Sequence, residues 1–165
     1  LPILPVETFI RYNNLLGGVG NIRSERLEIA QLPQNFADRF GWIEKVEAVQ
    51  QAYESLSLDD QAKTCILAAN YGEAGALEFF GEGLPPVISG HNNYYLWGTA
   101  GCTGEVIIAI GFEKEELTPF FNHVEWTTTA ECQYCMPYEN HLPVYTCHGL
   151  TVPIDQVWPL VKHFD

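Results

Sequence analysis

The sequence predicts an α/β fold of the three-layer, doubly wound kind, with a mostly parallel sheet and helices on both faces. Three observations carry that expectation. Trp42, Val46, Val49, Tyr53 and Leu56 recur by four, three, four and three, which draws one apolar stripe along a helix. Two apolar runs, residues 64–69 and 105–111, lack the polar alternation of a half-exposed strand, so both of their faces should be buried. Helical segments separate such runs, and strands joined through helices pair in parallel.

In chain order, residues 5–16 read as a short helix, and Gly17-Gly18-Val19-Gly20 as a flexible stretch. Leu32-Pro33-Gln34 precedes the striped helix, which is expected over residues 36–56 and broken at Leu58-Asp59-Asp60. The strand at 64–69 ends in Asn70-Tyr71-Gly72, and residues 73–80 form a helix closed by Gly81 and Gly83. A short strand at 86–89 leads into an Asn-rich turn and helix, and the clearest buried strand follows at 105–111. Residues 113–121 make an acidic helix that Pro119 kinks or ends. Further strands are expected at 124–129 and 144–147, then a terminal helix at 153–162 interrupted at Pro159. No repeat, charge block or low-complexity tract divides the chain, so residues 1–33 read as a lead-in and 34–165 as one domain.

Composition narrows the function classes. A chain of 165 residues, 47% hydrophobic, fills one core. Twenty-one acids against eight Lys and Arg give a net charge of −13, and the basic residues are scattered singly. Nucleic acid needs clustered cations, so it is excluded as a partner, and adhesion to anionic lipid is disfavoured by the same sign. No run reaches the roughly 18 apolar residues of a membrane span. The chain opens on Leu-Pro-Ile-Leu-Pro without a signal sequence, and it reads as an excised or processed piece, soluble by itself.

Two loops concentrate candidate chemistry. Asn70-Tyr71-Gly72-Glu73-Ala74-Gly75 follows a strand and opens a helix, where amides cradle anions. It lacks the third glycine of a dinucleotide site and the lysine of a P-loop, and Glu73 places a carboxylate where a phosphate would sit. Gly72, Gly75 and Glu73 also fit a plain packing and helix-dipole role, while Asn70 and Glu73 alternatively receive hydroxyls of a neutral ligand. Ser89-Gly90-His91-Asn92-Asn93-Tyr94-Tyr95-Leu96-Trp97 mixes amides, an imidazole and aromatics, the groups that meet sugar hydroxyls and C–H faces. Such loops meet at the carboxyl edge of a doubly wound sheet. Cys65 sits in an apolar run and reads as a small buried hydrophobe, whereas Cys102, Cys132, Cys135 and Cys147 have polar and turn neighbours. C-x-x-C at 132–135 lacks the second spaced pair of a zinc ribbon and the helix that follows a thioredoxin-like motif, so a structural disulfide is expected there, with no metal and no cofactor.

Asn-Tyr-Gly-Glu-Ala-Gly-Ala at 70–76, Leu-Pro-Pro-Val-Ile-Ser-Gly-His-Asn-Asn-Tyr-Tyr-Leu-Trp-Gly at 84–98, Tyr-Cys-Met-Pro-Tyr-Glu-Asn at 134–140 and Trp-Pro-Leu-Val-Lys-His-Phe at 158–164 resemble the extracytoplasmic C-terminal domain of bacterial family 39 membrane glycosyltransferases, the protein mannosyltransferase and aminoarabinose transferase class. That resemblance implies a membrane-spanning body that uses a polyprenyl-phosphate-linked sugar and carries the catalytic carboxylate. This chain would then be an accessory module on the periplasmic side, tethered through the parent protein. Its partners would be that body and a glycan or protein acceptor. The expected ligand residues are Asn70, Tyr71, Glu73, His91, Asn92, Asn93 and Tyr94, with Glu139 and Asn140 at the rim. In an oxidising compartment Cys135 is expected to pair with Cys147 across 11 residues, while Cys132 competes for either partner and Cys102 is a further candidate. The rival reading is a self-contained glycan hydrolase with Glu73 and Glu139 as its carboxylate pair.

Overall fold

The computed structural model describes residues 3–17 and 30–164; of the Gly17–Gly20 stretch, residues 18–20 lie outside them. The chain divides into two compact units, Leu1–Gly41 with Glu131–His141, and Trp42–Ala130 with Leu142–Asp165. The boundary therefore falls at residue 41 rather than 33, and the loop at 131–141 belongs with the N-terminal segment.

The smaller unit has its own core. Helix α1 (Val6–Leu15) and α2 (Gln34–Ala37) supply Phe9 and Phe36, whose rings meet edge to face at 5.2 Å. Leu32, Phe36, Ala37 and Met136 are buried, with Phe40, Tyr134 and Tyr138 packed against them. Aromatic residues spaced far apart in sequence thus gather around one point, which binds the 131–141 segment to this unit. Cys132 and Cys135 form a disulfide there, their Cα atoms 5.6 Å apart. The sulfurs lie against Gly41, whose φ of +87° and contact with Cys135 Sγ leave no room for a side chain.

That left-handed glycine also explains why the striped helix begins late. Helix α3 covers Trp42–Ser55, not residues 36–56, because the chain turns at Gly41 between α2 and α3. Beyond it, Ser57 accepts a hydrogen bond from the Asp60 amide and caps one further turn, α4 (Leu58–Gln61), where a break was expected. Then follow β1 (Thr64–Ala68), α5 (Tyr71–Phe80), β2 (Val87–Ile88), α6 (Asn93–Trp97), β3 (Val106–Ile110), α7 (Lys114–Leu117), β4 (Phe121–Ala130), β5 (Leu142–Leu150) and α8 (Ile154–Val157). A 3₁₀ turn, Trp158–Leu160, follows α8 where Pro159 interrupts the helical backbone.

The five strands form one open, mixed sheet of order β2-β1-β3-β5-β4. Strands β2, β1 and β3 are parallel, as their helical connections require. Strand β5 runs antiparallel to both β3 and β4, so β4 points the same way as β2, β1 and β3 but joins the sheet through the reversed β5. The reason is the connection: residues 131–141 contain no crossover helix, only a short 3₁₀ turn, so the chain returns as a broad hairpin.

Alternate side chains enter two different clusters, so both sheet faces are covered. Ile66, Ala68, Ile108, Ile110 and Val144 pack under Val46, Val49 and Ala52 of α3 and Ala74 and Leu77 of α5. Cys65, Ile107, Ala109, Tyr145 and Cys147 lie on the opposite side with Leu117 of α7 and Ile154 of α8. Period-two burial on both faces is what the unbroken apolar runs encoded.

The cysteine pairing differs from expectation. Cys65 is bonded to Cys102, with Cα atoms 6.0 Å apart, and Cys147 is a buried free thiol rather than the partner of Cys135. Cys147 stands mid-strand opposite Ile107 and Val124, its side chain fixed within the apolar cluster by ladders on both sides. Burial pushes its thiol from 9.0 up to about 12. Two disulfides fit an oxidising environment, and among the described residues no helix is long and apolar enough to cross a membrane.

Candidate functional site

Strand order reverses about β1, since the chain passes from β1 to β2 on one side and returns to β3 on the other. The segments beyond the carboxyl ends of these parallel strands are where open sheets take ligands. Two polar centres occupy that edge.

The first closes on itself. Asn70 caps α5: its Oδ1 accepts from the Glu73 amide at 2.9 Å. Glu73 Oε2 accepts in return from the amides of Ala69 and Asn70, at 3.1 and 3.3 Å. This is a reciprocal capping box, and Glu73 is only 2% exposed. Gly111, just after β3, has a φ of +80°, and a Cβ there would stand 2.9 Å from both Glu73 oxygens. The loop's own carboxylate therefore sits on the amides that an external phosphate would need. The capping box is compatible with the helix-dipole role of Glu73, and it engages the Asn70 side chain as well.

The second centre is assembled from distant segments. His91, 8% exposed, accepts at Nδ1 from the Tyr71 amide at 3.4 Å, one of the otherwise unpartnered amides in the first turn of α5. Its other ring nitrogen, Nε2, lies 2.8 Å from Asn92 Nδ2, with the direction of that bond set by the ring's tautomer. The His91 amide donates to the buried Ser89 hydroxyl at 3.2 Å. The ring of His163 stacks on His91 at 4.6 Å, and the backbones bond reciprocally, Asn92 to His163 at 3.0 Å and His163 to Gly90 at 3.1 Å. Gly90 is required because any Cβ there would strike the Val161 carbonyl. Asn92 has a φ of +52° and ψ of −131°, a conformation that non-glycine residues rarely hold unless surrounding bonds enforce it.

Aromatic side chains stand on the same segments, and Tyr71 touches the centre itself. Tyr71 lies 5.0 Å from the His91 ring and is 55% exposed; Trp97 and Phe164 are 67% and 54% exposed. Tyr95 stacks on Trp158 at 5.7 Å, and Lys162 Nζ stands 5.2 Å from the rings of both Tyr95 and Phe164.

The other expected residues fall differently. Asn93 is exposed at the start of α6. Tyr94 is a buried support: its hydroxyl donates to Glu78 at 2.7 Å, and desolvation followed by that bond pushes its phenol pKa up. Asn140 lies in the smaller unit, where its Oδ1 accepts from the amides of Cys132 and His141 at 2.7 and 2.9 Å and so shapes the disulfide loop. Glu139 closes the short 3₁₀ turn of that loop. The two carboxylates of the hydrolase reading thus belong to different units, and Oε2 of Glu73 is engaged by backbone amides.

Two side chains escaped the sequence reading. The stacking of His163 on His91 is a long-range pairing with no local signature in sequence. Lys45 is 1% exposed, with Nζ 4.6 Å from the Trp42 ring centre. It stands three residues after Trp42 and four before Val49, so the stripe itself placed a cation on the buried face.

A separate cavity of about 360 Å³ opens at the amino end of β1, lined by Lys63, Thr64, the Cys65–Cys102 disulfide, Thr103 and Glu105. Its one cation is held by Asp59 at 2.6 Å. Among the described residues no group of three or more His, Cys, Asp or Glu is placed to hold a metal. No protein-family model, curated protein or solved structure matches the chain.

Proposed function

We propose that this chain is an accessory, non-catalytic module of a membrane glycosyltransferase of the family 39 kind, placed on the extracytoplasmic side and tethered through a membrane-spanning body. On this reading its core is a three-layer doubly wound fold with an antiparallel extension. It binds a neutral, hydroxyl-rich acceptor glycan at the carboxyl edge of the parallel strands. The observation that carries the ligand class is the pairing of the two centres: Glu73 and Asn70 already engage the amides at the start of α5, while Tyr71 exposes a ring 5.0 Å from His91, and Trp97 on α6 and Phe164 next to His163 are exposed on the segments that carry the second centre. Sugar C–H faces lie on rings and sugar hydroxyls bond to amides and imidazoles, whereas a phosphate would meet a carboxylate and a net charge of −13.

Calorimetric titration with neutral oligosaccharides and, separately, inorganic phosphate tests this reading. Saturable binding of an oligosaccharide, weakened in Trp97→Ala and Tyr71→Ala with unchanged melting, is the expected result. Binding of phosphate but of no sugar would contradict the ligand class. Sugar transfer from a polyprenyl-phosphate donor by the chain alone would contradict the accessory role.

A further inference from the structure

The sheet ends on two unequal borders. At one, β2 is two residues long; at the other, β4 is ten residues long and pairs along one side only, with β5, among the described residues. A long strand with a free row of amides and carbonyls is a template for another strand unless it is covered or blunted. The charges on β4 are of opposite potential sign and two residues apart: His123 and Glu125 are both exposed, with side chains 63% and 72% accessible and Nε2 to Oε2 at 3.6 Å.

We propose that β4 is a dimerisation edge, along which two copies of this chain join their sheets antiparallel with His123 of each copy opposite Glu125 of the other. A two-fold axis passing beside Val124 fixes this register, because opposed residue numbers in such a pair add to a constant. It creates two His–Glu pairs and one Val–Val pair. Centring the axis on Glu125 or His123 would oppose like residues instead, so charge selects the register. The bulge between Trp126 and Thr128 bends the strand away and ends the pairing there, leaving residues 122–126 as the joined segment. The occupant is therefore a second copy, since the strand's charge pattern is complementary to itself when reversed.

Sedimentation velocity over a wide concentration range, with melting curves as the check on folding, tests the proposal. The parent is expected to be a reversible dimer. His123→Glu replaces both attractive pairs by Glu–Glu pairs and should weaken the dimer by about tenfold or more. Combining His123→Glu with Glu125→His exchanges the two partners, keeps the complement, and should restore association. A parent that stays monomeric throughout overturns the proposal and leaves the edge to an extended segment of another protein. So does a single variant that dimerises like the parent, or an exchanged variant as dissociated as the single one.

Discussion

The loop after β1 and the loop after β2 look alike in sequence, each with an amide, a titratable side chain and an aromatic within a few residues, yet they differ in how their polar groups are satisfied. Asn70 and Glu73 stand three apart at a helix start, the spacing at which side chain and backbone cap each other, and the structure closes that loop locally. His91 and Asn92 have no such spacing. Besides their own contact and the Ser89 hydroxyl, they draw partners from α5 and from the C-terminal segment, and the Tyr71 ring beside them stays exposed. The first loop is closed by one local capping box, while the second is assembled from three segments, and on the proposed reading it is the better ligand site.

The sharpest way to break this contrast is to remove the closing carboxylate. Glu73→Ala removes the side-chain acceptor of the part-buried Asn70 amide, while Ala69 keeps its bond to the Ile110 carbonyl, and should cost roughly 2 kcal/mol in urea unfolding. A loss below about 0.5 kcal/mol would show that the first loop is not a strut. Gly90→Ala acts on the second loop, driving a methyl against the Val161 carbonyl. We expect a loss of about 2 kcal/mol, with faster amide exchange at Asn92 and His163, whose hydrogen bonds tie the two segments. Trp97→Ala should leave the melt within about 0.5 kcal/mol of the parent and weaken glycan binding several-fold, the reverse of the Glu73 pattern.

Cys147 gives a smaller, pH-dependent test of the opposite sheet face. Its folded thiol titrates at about 12 against an ordinary 9.0, so the folded state retains the proton longer than the unfolded chain. That stability is fully present below pH 9 and is lost as pH rises toward 12, by about 1.4 kcal/mol per pH unit within the window. Cys147→Ala should flatten the alkaline limb of a stability–pH curve over that range. An unchanged limb would mean that the thiol is not buried as described.

What sequence made legible follows from range of interaction. The stripe of α3, the buried runs of β1 and β3 and the carboxyl-edge meeting of two loops rest on periodicity and on short connections, which are local. The reversal of β5, the Cys65–Cys102 pairing and the stack of His163 on His91 depend on segments 37 residues or more apart, or on a connection that lacks a crossover helix. Glu73 illustrates the middle ground: its place at a helix start indicates a dipole or ligand role, and the structure adds the reciprocal capping box with Asn70.

The central claim is that the second loop is the site and the first its support, and amide chemical-shift mapping during titration with a neutral oligosaccharide tests it most directly. The account predicts saturable shifts at His91, Asn92, Asn93 and His163 and in the Tyr71 and Trp97 side chains, with Glu73 amide signals unmoved. Shifts centred on Ala69, Asn70 and Glu73, or mapped instead by inorganic phosphate, would contradict it.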